Sequence, residues 1–240
     1  MAPLVFIFMS TGDFTKLQKR LGVKFADEKL LKQALVHRSY LNEHPDFVVG
    51  HNERLEFLGD AVLEIIVTEF LYLNFSDTPE GELTNWRASL VNAKILYKIA
   101  AELEIEENLY LSKGEAQDKN KKSRQFILAN AVEAIIGAIY LDQGMPAVKN
   151  FVIKNVVSKL DDIFANQSYL DPKSHFQEKA QEVKGITPHY QILDEVGPDH
   201  AKIFTVGLYL GEDLITTGTG SSKQEAQVDA AAKGLKKMAW

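Results

Sequence analysis

Apolar residues recur every three or four positions along most of the chain, from Phe14 to about Phe164. This spacing places them on one face of an α-helix, so the region is predicted to be all-α. Loops are predicted at "NFSDTPEGE" and at the polar, charged segment "SKGEAQDKNKKSR", and no strand pattern interrupts the region. Six helices are predicted: "FTKLQKRLG", "DEKLLKQALVHRSYLNE", "HNERLEFLGDAVLEIIVTEF", "LTNWRASLVNAKILYKIAAEL", "QFILANAVEAIIGAIYLDQG" and "MPAVKNFVIKNVVSKLDDIF". The helix "QFILANAVEAIIGAIYLDQG" is predicted to stop at Gly144.

The hydrophobic pattern changes after "ANQSYLDPKS" (165–174), whose composition is typical of a linker. A helix is predicted over "PKSHFQEKAQEVKG", and a last helix begins with a capping box formed by Ser222 and Glu225. Between them lie three segments rich in β-branched and aromatic residues, predicted as strands: "HYQILDEV", "KIFTVGLYL" and "LITTGTG". The order helix, three strands, helix is that of a complete small α+β domain.

These patterns predict four parts of the chain: an N-terminal extension (1–13), a helical domain (14–164), a linker (165–170) and an α+β domain (171–240). The apolar "PLVFIF" has no basic flank or cleavage site, so it is predicted to dock on the core rather than act as a signal peptide. No apolar stretch is predicted to be long enough to span a membrane.

The composition excludes cysteine chemistry and limits how the chain could bind nucleic acid. The chain has no cysteine, which excludes disulfides and thiolate metal sites and fits a reducing cytoplasm. Its net charge is −6, so a nucleic-acid partner would need a local basic patch on the protein.

One long predicted helix carries a row of acidic residues along a mostly apolar surface. On a helical wheel the row fits within an arc of roughly 80°. Most of this helix is predicted to be buried, and buried carboxylates are costly unless they are paired or bind a metal. A thin solvated stripe with Arg54 or Arg87 as partner is the alternative, but the number of carboxylates favours a metal site. The row consists of Glu53, Glu56, Asp60 and Glu64.

A second apolar helix has only Asn130 and Glu133 as polar interruptions, three residues apart and therefore on one face. If the two helices faced each other, their side chains would form an oxygen-only site of the kind that binds Mg²⁺ or Mn²⁺. Mg²⁺ held by carboxylates commonly serves to hydrolyse phosphodiesters. The alternative is that Asn130 and Glu133 cap or bond the ends of neighbouring helices.

The segment "NERLEFLGDAVL" (52–63) resembles the signature of ribonuclease III. The resemblance continues in the same order through the helical region, in "LLKQALVHRSYLNE", "PEGELTNWRASLV", "LSKGE" and "ILANAVEAIIGAIYLDQG". Residues 171–240 resemble the double-stranded RNA-binding domain of that family, in "FQEKAQ", "GPDHAKIFTV" and "GTGSSKQEA". Nearly the whole chain after its first dozen residues is covered.

The resemblance implies an all-α endonuclease domain followed by a small α-β-β-β-α RNA-binding domain. It implies a cytoplasmic homodimer that cuts double-stranded RNA with Mg²⁺, or with Mn²⁺ as a substitute. The expected products have 5′-phosphate and 3′-hydroxyl ends with a short 3′ overhang. The expected substrates are ribosomal RNA precursors and structured messenger RNAs.

The resemblance also assigns roles to individual residues. Asp60 and Glu133 match the catalytic residues, and they match metal ligands together with Glu56. Asn130 stands at a metal-ligand position where the family usually has Asp. The remaining matches are two acidic positions that line the cleft and help at the scissile site, Glu53 and Glu80, and an aromatic residue that inserts into the partner subunit, Phe57. Apart from the resemblance, Phe57 could equally be a core residue.

RNA contacts are implied on the α+β domain. The minor groove of A-form RNA exposes 2′-hydroxyls, which polar side chains can read. The first helix should supply them from one face, with Ser174, Gln177, Glu178 and Gln181. His200 matches a contact in the loop between strands, and Lys223 matches a phosphate contact in the last helix. Gln224 replaces a second Lys of the family, so modest, salt-sensitive binding is expected.

Three hypotheses follow for function. The first is a dimeric endoribonuclease for double-stranded RNA. The second is a protein that binds double-stranded RNA but cuts poorly, because Asn130 replaces an Asp ligand. The third is a helical scaffold with an acidic cation site, which the RNA-contact motifs of the α+β domain disfavour.

Overall fold

The computed structural model of the chain describes residues 14–118, 120–165, 171–198 and 202–240. The chain divides between residues 166 and 167 into two compact units, a helical unit and an α+β unit. The predicted N-terminal extension lies outside the described residues, as does the predicted linker after Ala165. Ala165 itself ends a helix rather than beginning a linker.

The helical unit is built from α-helices joined by short turns, with two 3₁₀ helices at Ile105–Asn108 and Val157–Lys159. Its α-helices are α1 (Thr15–Leu21), α2 (Glu28–Ala34), α3 (Arg38–Glu43), α4 (Glu53–Asn74), α5 (Glu80–Leu90), α6 (Ala93–Glu102), α7 (Lys113–Gln117), α8 (Lys121–Asn155) and α9 (Leu160–Ala165).

The core of this unit forms where α4 packs along α8. The face of α8 from Ile127 to Ile139 is almost entirely buried. The α8 helix breaks at Gly144, as predicted, because this residue adopts φ 78° and ψ −177°. Contrary to the prediction, one helical stretch, Lys121–Ala165, is long and apolar enough to cross a membrane. Its apolar window is 61% buried inside the unit, however, as expected of the core helix of a soluble protein.

Several local predictions for the helical unit were wrong. The helix predicted over "LTNWRASLVNAKILYKIAAEL" is two helices, α5 and α6, because Asn92 leaves the helical conformation and caps α6 by accepting the N–H groups of Lys94 and Ile95. The helix predicted over "MPAVKNFVIKNVVSKLDDIF" contains the end of α8, a 3₁₀ helix and α9.

The helix predicted over "DEKLLKQALVHRSYLNE" is two helices, because Val36 leaves the helical conformation and forms a parallel β-bridge with Tyr110. The segment predicted as a polar loop contains α7 and the first turn of α8. Both helices have side-chain caps, since Ser112 accepts the N–H of Glu115 and Asn120 accepts those of Lys122 and Ser123.

The prediction that most of α4 is buried was also wrong. Its buried residues lie on the side that packs on α8, and they include Leu55, Leu63 and Ile66. An apolar stripe on another side faces outward and consists of Phe57, Ala61, Ile65 and Tyr72. These residues are four or seven positions apart, so they share one face of the helix. The helix thus has one apolar face in the core and a second one exposed.

The α+β unit has the predicted order of elements. It consists of α10 (Pro172–Lys184), β1 (His189–Val196), β2 (Ile203–Leu210), β3 (Asp213–Gly220) and α11 (Lys223–Met238). The strands form an antiparallel sheet in the order β1-β2-β3, with Tyr190 opposite Leu208 and Gly207 opposite Thr217. Its core joins both helices to one side of β2, through Phe176, Ala180, Leu208, Leu210, Ala230 and Ala231. The predicted fold class is confirmed.

Candidate catalytic cleft and RNA-binding surface

Helices α4 and α8 touch backbone to backbone where Gly59 meets Gly137. A Cβ atom on Gly59 would lie 1.7 Å from the carbonyl oxygen of Glu133. A Cβ atom on Gly137 would lie 2.3 Å from the carbonyl oxygen of Leu55. Only a residue without a side chain permits so close an approach. The contact lies beside Asp60 and at Glu133 itself, so it brings the acidic residues of the two helices together.

The four side chains predicted as metal ligands interact across this contact. The Glu56 carboxylate accepts a hydrogen bond from the Asn130 side chain, which opposes part of a rise in the pKa of Glu56. That rise comes first from burial and then from Glu53, with a smaller contribution from Asp60. Burial, followed by the charges of Asp60 and Glu56, raises the pKa of Glu133 to about 7. These carboxylates therefore repel one another in a partly desolvated cleft.

The donor set fits a hard divalent cation, because three carboxylates and an amide offer only oxygen ligands and their mutual repulsion favours a positive charge between them. Within the described ranges, however, no group of three or more His, Asp or Glu side chains is close enough together to hold a metal ion. The carboxylates thus influence one another electrostatically without converging on a single point. The amide of Asn130 supplies the hydrogen-bond donor that stabilises Glu56.

The other acidic residues have separate surroundings. Glu53 lies 3.7 Å from Arg38 Nη1 and 3.7 Å from His51 Nδ1, which places a cation beside the first carboxylate of the row. Glu64 lies 4.0 Å from Arg87 Nε, the pairing offered by the solvated-stripe interpretation. Glu80 is exposed in the first turn of α5, where it accepts a hydrogen bond from Thr84 of the same helix.

Phe57 is 81% exposed, which contradicts the alternative that it is a core residue. It lies beside a groove of about 590 Å³. Phe57 is itself part of the lining. The other lining residues are four apolar and three polar ones: Leu30, Leu55, Leu58 and Leu141, with Gln33, Glu53 and Arg54. An exposed aromatic side chain next to an apolar groove of the same surface is suited to a reciprocal contact between two copies.

The predicted RNA contacts of α10 are all exposed on one face of that helix: Ser174, Gln177, Glu178 and Gln181. Two of them are already bonded, since Ser174 donates to Asp171 at 3.0 Å and Gln181 donates to Thr187 at 2.6 Å. Lys223 is exposed in the first turn of α11, with its Nζ 5.8 Å from the centre of the Phe204 ring. His200 lies outside the described residues.

Sequence reasoning missed Gly59 and Gly137. Glycines inside helical patterns were a signal for the contact between α4 and α8, because glycine weakens a helix unless packing requires it.

Comparisons with known proteins match both units. Residues 27–160 match the model of a family described as ribonuclease-III-like, and residues 172–238 match that of the double-stranded RNA binding motif. The chain is 40% identical to ribonuclease 3 of Dehalococcoides mccartyi over 93% of its length and 94% of the relative. It is 43% identical to ribonuclease 3 of Pelotomaculum thermopropionicum over 93% of this chain and 92% of the relative.

A solved structure is also similar. It is the nuclease domain of ribonuclease III from Campylobacter jejuni, described as flexible in a region involved in dimer formation. The identity is 38% and the TM-score is 0.55, over 61% of this chain and 97% of that one.

Proposed function

Because the chain belongs to the ribonuclease III family and is therefore an endoribonuclease for double-stranded RNA, we propose that it cuts with Mg²⁺ held by Glu56, Asp60, Asn130 and Glu133. The observation that carries this proposal is the backbone contact of Gly59 with Glu133 and Gly137, which brings the acidic residues of α4 and α8 into one cleft. The raised pKa of Glu133, about 7, agrees with it, since Asp60 and Glu56 contribute to the rise. Three carboxylates in one cleft are mutually destabilising unless a cation lies between them. A bound cation would activate water and neutralise charge on the phosphate.

The residues of the cleft have distinct parts in this reaction. Asp60 and Glu133 come from different helices and would hold the cation together. Glu56 would support them, and its hydrogen bond from Asn130 favours the charged form of its carboxylate. Glu53, with Arg38 and His51 beside it, and Glu80 line the approach to the scissile bond. Attack of water on phosphorus with loss of the 3′ oxygen gives 5′-phosphate and 3′-hydroxyl ends.

The substrates are base-paired regions of ribosomal RNA precursors and messenger RNAs, processed in the cytoplasm. The exposed polar face of α10 fits the minor groove of such a duplex, and Lys223 at the start of α11 fits a phosphate. Residues 171–240 contain eight Lys and ten Asp or Glu, a net charge of −2. Affinity of this unit should therefore be modest and should fall steeply with salt.

The enzyme is a homodimer in which the exposed stripe of α4 forms the interface. Phe57 of each subunit would enter the groove beside Leu58 and Leu141 of the other. Light scattering should give twice the chain mass of 26.9 kDa, and Phe57→Ser should shift the protein toward that single-chain mass. The matched control is Val183→Ser, which removes an exposed apolar side chain from α10 and should leave the mass unchanged. A wild-type monomer at micromolar concentration would exclude this arrangement.

The decisive experiment is incubation of an end-labelled RNA duplex with the protein in Mg²⁺, in Ca²⁺ and in chelator. Cleavage in Mg²⁺ alone is the expected result, with products that carry 5′-phosphates. Binding without cleavage in every condition would favour the second candidate function.

That second candidate is a double-stranded RNA-binding protein with impaired cleavage. It is favoured by the Asn130 amide bonded to Glu56 and by the lack of a close group of three acidic or His side chains among the described residues. Asn130→Asp adds a ligand charge and should shift the dependence of cleavage rate on Mg²⁺ to lower concentrations. If the curve does not shift, the missing charge does not limit metal binding. Asn92→Asp, at the start of α6, is the control for adding an acidic residue elsewhere.

A further inference from the structure

Asn52 is the one buried polar or charged residue among the described residues, with 3% of its surface exposed. It lies immediately before α4, where an Asn side chain normally accepts a hydrogen bond from the first turn of its own helix. Asn92 and Asn120 cap their helices in this way. Asn52 makes no such bond. The Asn52 side chain therefore has a role other than capping α4.

The Asn52 amide is turned toward the chain segment after α2. Its Nδ2 donates to the carbonyl oxygen of Ala34 at 3.3 Å, and its backbone N–H donates to that of Val36 at 2.9 Å. The same segment is fixed on its other side, because Tyr110 donates to Leu35 at 2.9 Å and His37 donates to Tyr110 at 3.0 Å. The start of α4 is thus bound at two points to a segment that is itself bound elsewhere.

This attachment lies one turn before the carboxylates of the cleft. Glu53 follows Asn52 directly, and Glu56 lies about 6 Å farther along the helix axis. The contact between Gly59 and Gly137 fixes where α4 crosses α8, while a second fixed point is needed to set the direction of α4 before the crossing. Small displacements matter here, since moving a catalytic group by about 1 Å can cost roughly a hundredfold in rate.

We propose that Asn52 is a positioning residue, which holds the start of α4 so that Glu53 and Glu56 face Asn130 and Glu133 across the cleft. The inference rests on the proposed function of that cleft. Asn52 is buried, so its effect on the reaction passes through the direction of α4.

Asn52→Ala tests this inference by removing the side-chain hydrogen bond to Ala34 while the backbone hydrogen bond to Val36 remains. The rate at saturating RNA should fall by about tenfold or more, and the Mg²⁺ concentration for half-maximal rate should rise several-fold. KM for the duplex should stay within about twofold, because the proposed RNA contacts lie on another unit. Mn²⁺ binding to the RNA-free protein, measured by titration calorimetry, should weaken in parallel.

The matched control is Asn92→Ala, which removes a side chain that accepts from Lys94 and Ile95 and donates to Ala88 and Ser89. It should lower the melting temperature while leaving the rate, the Mg²⁺ dependence and Mn²⁺ binding unchanged. Asn52→Ser keeps a short donor and should give values between those of wild type and Asn52→Ala. If Asn52→Ala does not fold, the same measurements on Asn52→Ser decide the question.

The outcomes separate this inference from the function on which it rests. If the Asn52 variants lower only the melting temperature, as Asn92→Ala does, Asn52 is a structural residue and the inference is overturned. If the wild type neither cleaves nor binds Mn²⁺, the proposed function fails, and the inference fails with it. If the wild type cleaves without binding Mn²⁺ in calorimetry, the contrast between the rate and KM decides the role of Asn52.

Discussion

The carboxylates of the cleft in the helical unit and those on the two helices of the α+β unit have pKa values shifted in opposite directions. In the cleft, burial and like charges raise the pKa values of Glu56 and Glu133. In the α+β unit, a hydrogen bond from Lys233 lowers the pKa of Asp229, and one from Lys179 lowers that of Glu182. The carboxylates of the cleft repel one another, and a bound cation would relieve that repulsion, whereas Asp229 and Glu182 each have a Lys partner within the fold.

The two regions also differ in how their side chains are held. The cleft depends on the backbone contact of Gly59 with Gly137 and on the buried side chain of Asn52, both of which are tightly packed. The predicted RNA contacts on α10 and α11 are exposed side chains of the helix surfaces, and none of them is buried. Cleavage requires fixed geometry, while recognition of a phosphate backbone tolerates variation. Substitutions should therefore reduce activity strongly in the cleft and only slightly on the helices of the α+β unit.

The largest effect is expected from Gly59→Ala. The added Cβ would overlap the carbonyl oxygen of Glu133, so α4 and α8 must separate along the core of the unit. Overpacking of this kind costs about 3 kcal/mol and sometimes more, and cleavage should be lost with it. Urea unfolding followed by circular dichroism measures the change in the free energy of unfolding.

Gly81→Ala is the matched control, because a Cβ at this position of α5 meets nothing within 4 Å. It should leave cleavage intact and stabilise the protein by up to about 1 kcal/mol, since alanine favours a helix more than glycine does. Equal stability of Gly59→Ala and wild type would mean that the two helices do not touch at this point.

Glu133→Gln should have the next largest effect. Removing its charge should reduce cleavage by about a hundredfold or more, while binding of the duplex in Ca²⁺ stays largely intact. Glu64→Gln is the control on the same acidic row, since Glu64 lies by Arg87 and is not part of the proposed site. Normal turnover by Glu133→Gln would remove Glu133 from the mechanism.

The same variant should stabilise the metal-free protein as the pH rises. Folding raises the pKa of Glu133 from an ordinary value of 4.5 to about 7, so the carboxylate opposes folding once it ionises. Below pH 4.5 it is protonated in both states and the penalty is absent. The penalty grows between pH 4.5 and 7 and is complete above 7. The melting temperature of Glu133→Gln, relative to wild type, should increase over that window and then level off.

The sequence predicted the parts of this site that are local. The acidic row on α4 and the pair Asn130 and Glu133 on α8 follow from helical spacing. Outside the site, the strands follow from their β-branched and aromatic residues, and the cap of α11 follows from Ser222 with Glu225 three residues later. The contact of Gly59 with Gly137 joins residues far apart in the chain, and the sequence alone shows only glycines in helices.

Two wrong predictions have the same kind of cause. The break between α2 and α3 depends on Tyr110, a partner more than seventy residues away that pairs with Val36. The second is the burial of most of α4. Phe57 and Ile65 are exposed, and the hydrophobic pattern alone does not distinguish an apolar residue of the core from an apolar residue of the surface. In both cases the outcome depends on which other elements pack against the segment, and the segment's own pattern does not contain that information.

The smallest effect is expected on the α+β unit, from Gln224→Lys. The new cation would stand beside Lys223 in the first turn of α11, where it is unfavourable with the helix dipole unless an anion lies opposite. If that anion is an RNA phosphate, duplex affinity should rise several-fold at low salt. The slope of log affinity against log salt concentration should steepen by about one.

Lys233→Gln is the control, because Lys233 is paired with Asp229 at 2.6 Å farther along the same helix, and it should leave the slope unchanged. The rate at saturating RNA should not change in either variant, since neither residue belongs to the cleft. A slope unaltered by Gln224→Lys would mean that the start of α11 does not face the phosphates, and the RNA-binding surface would then have to be sought elsewhere on this unit.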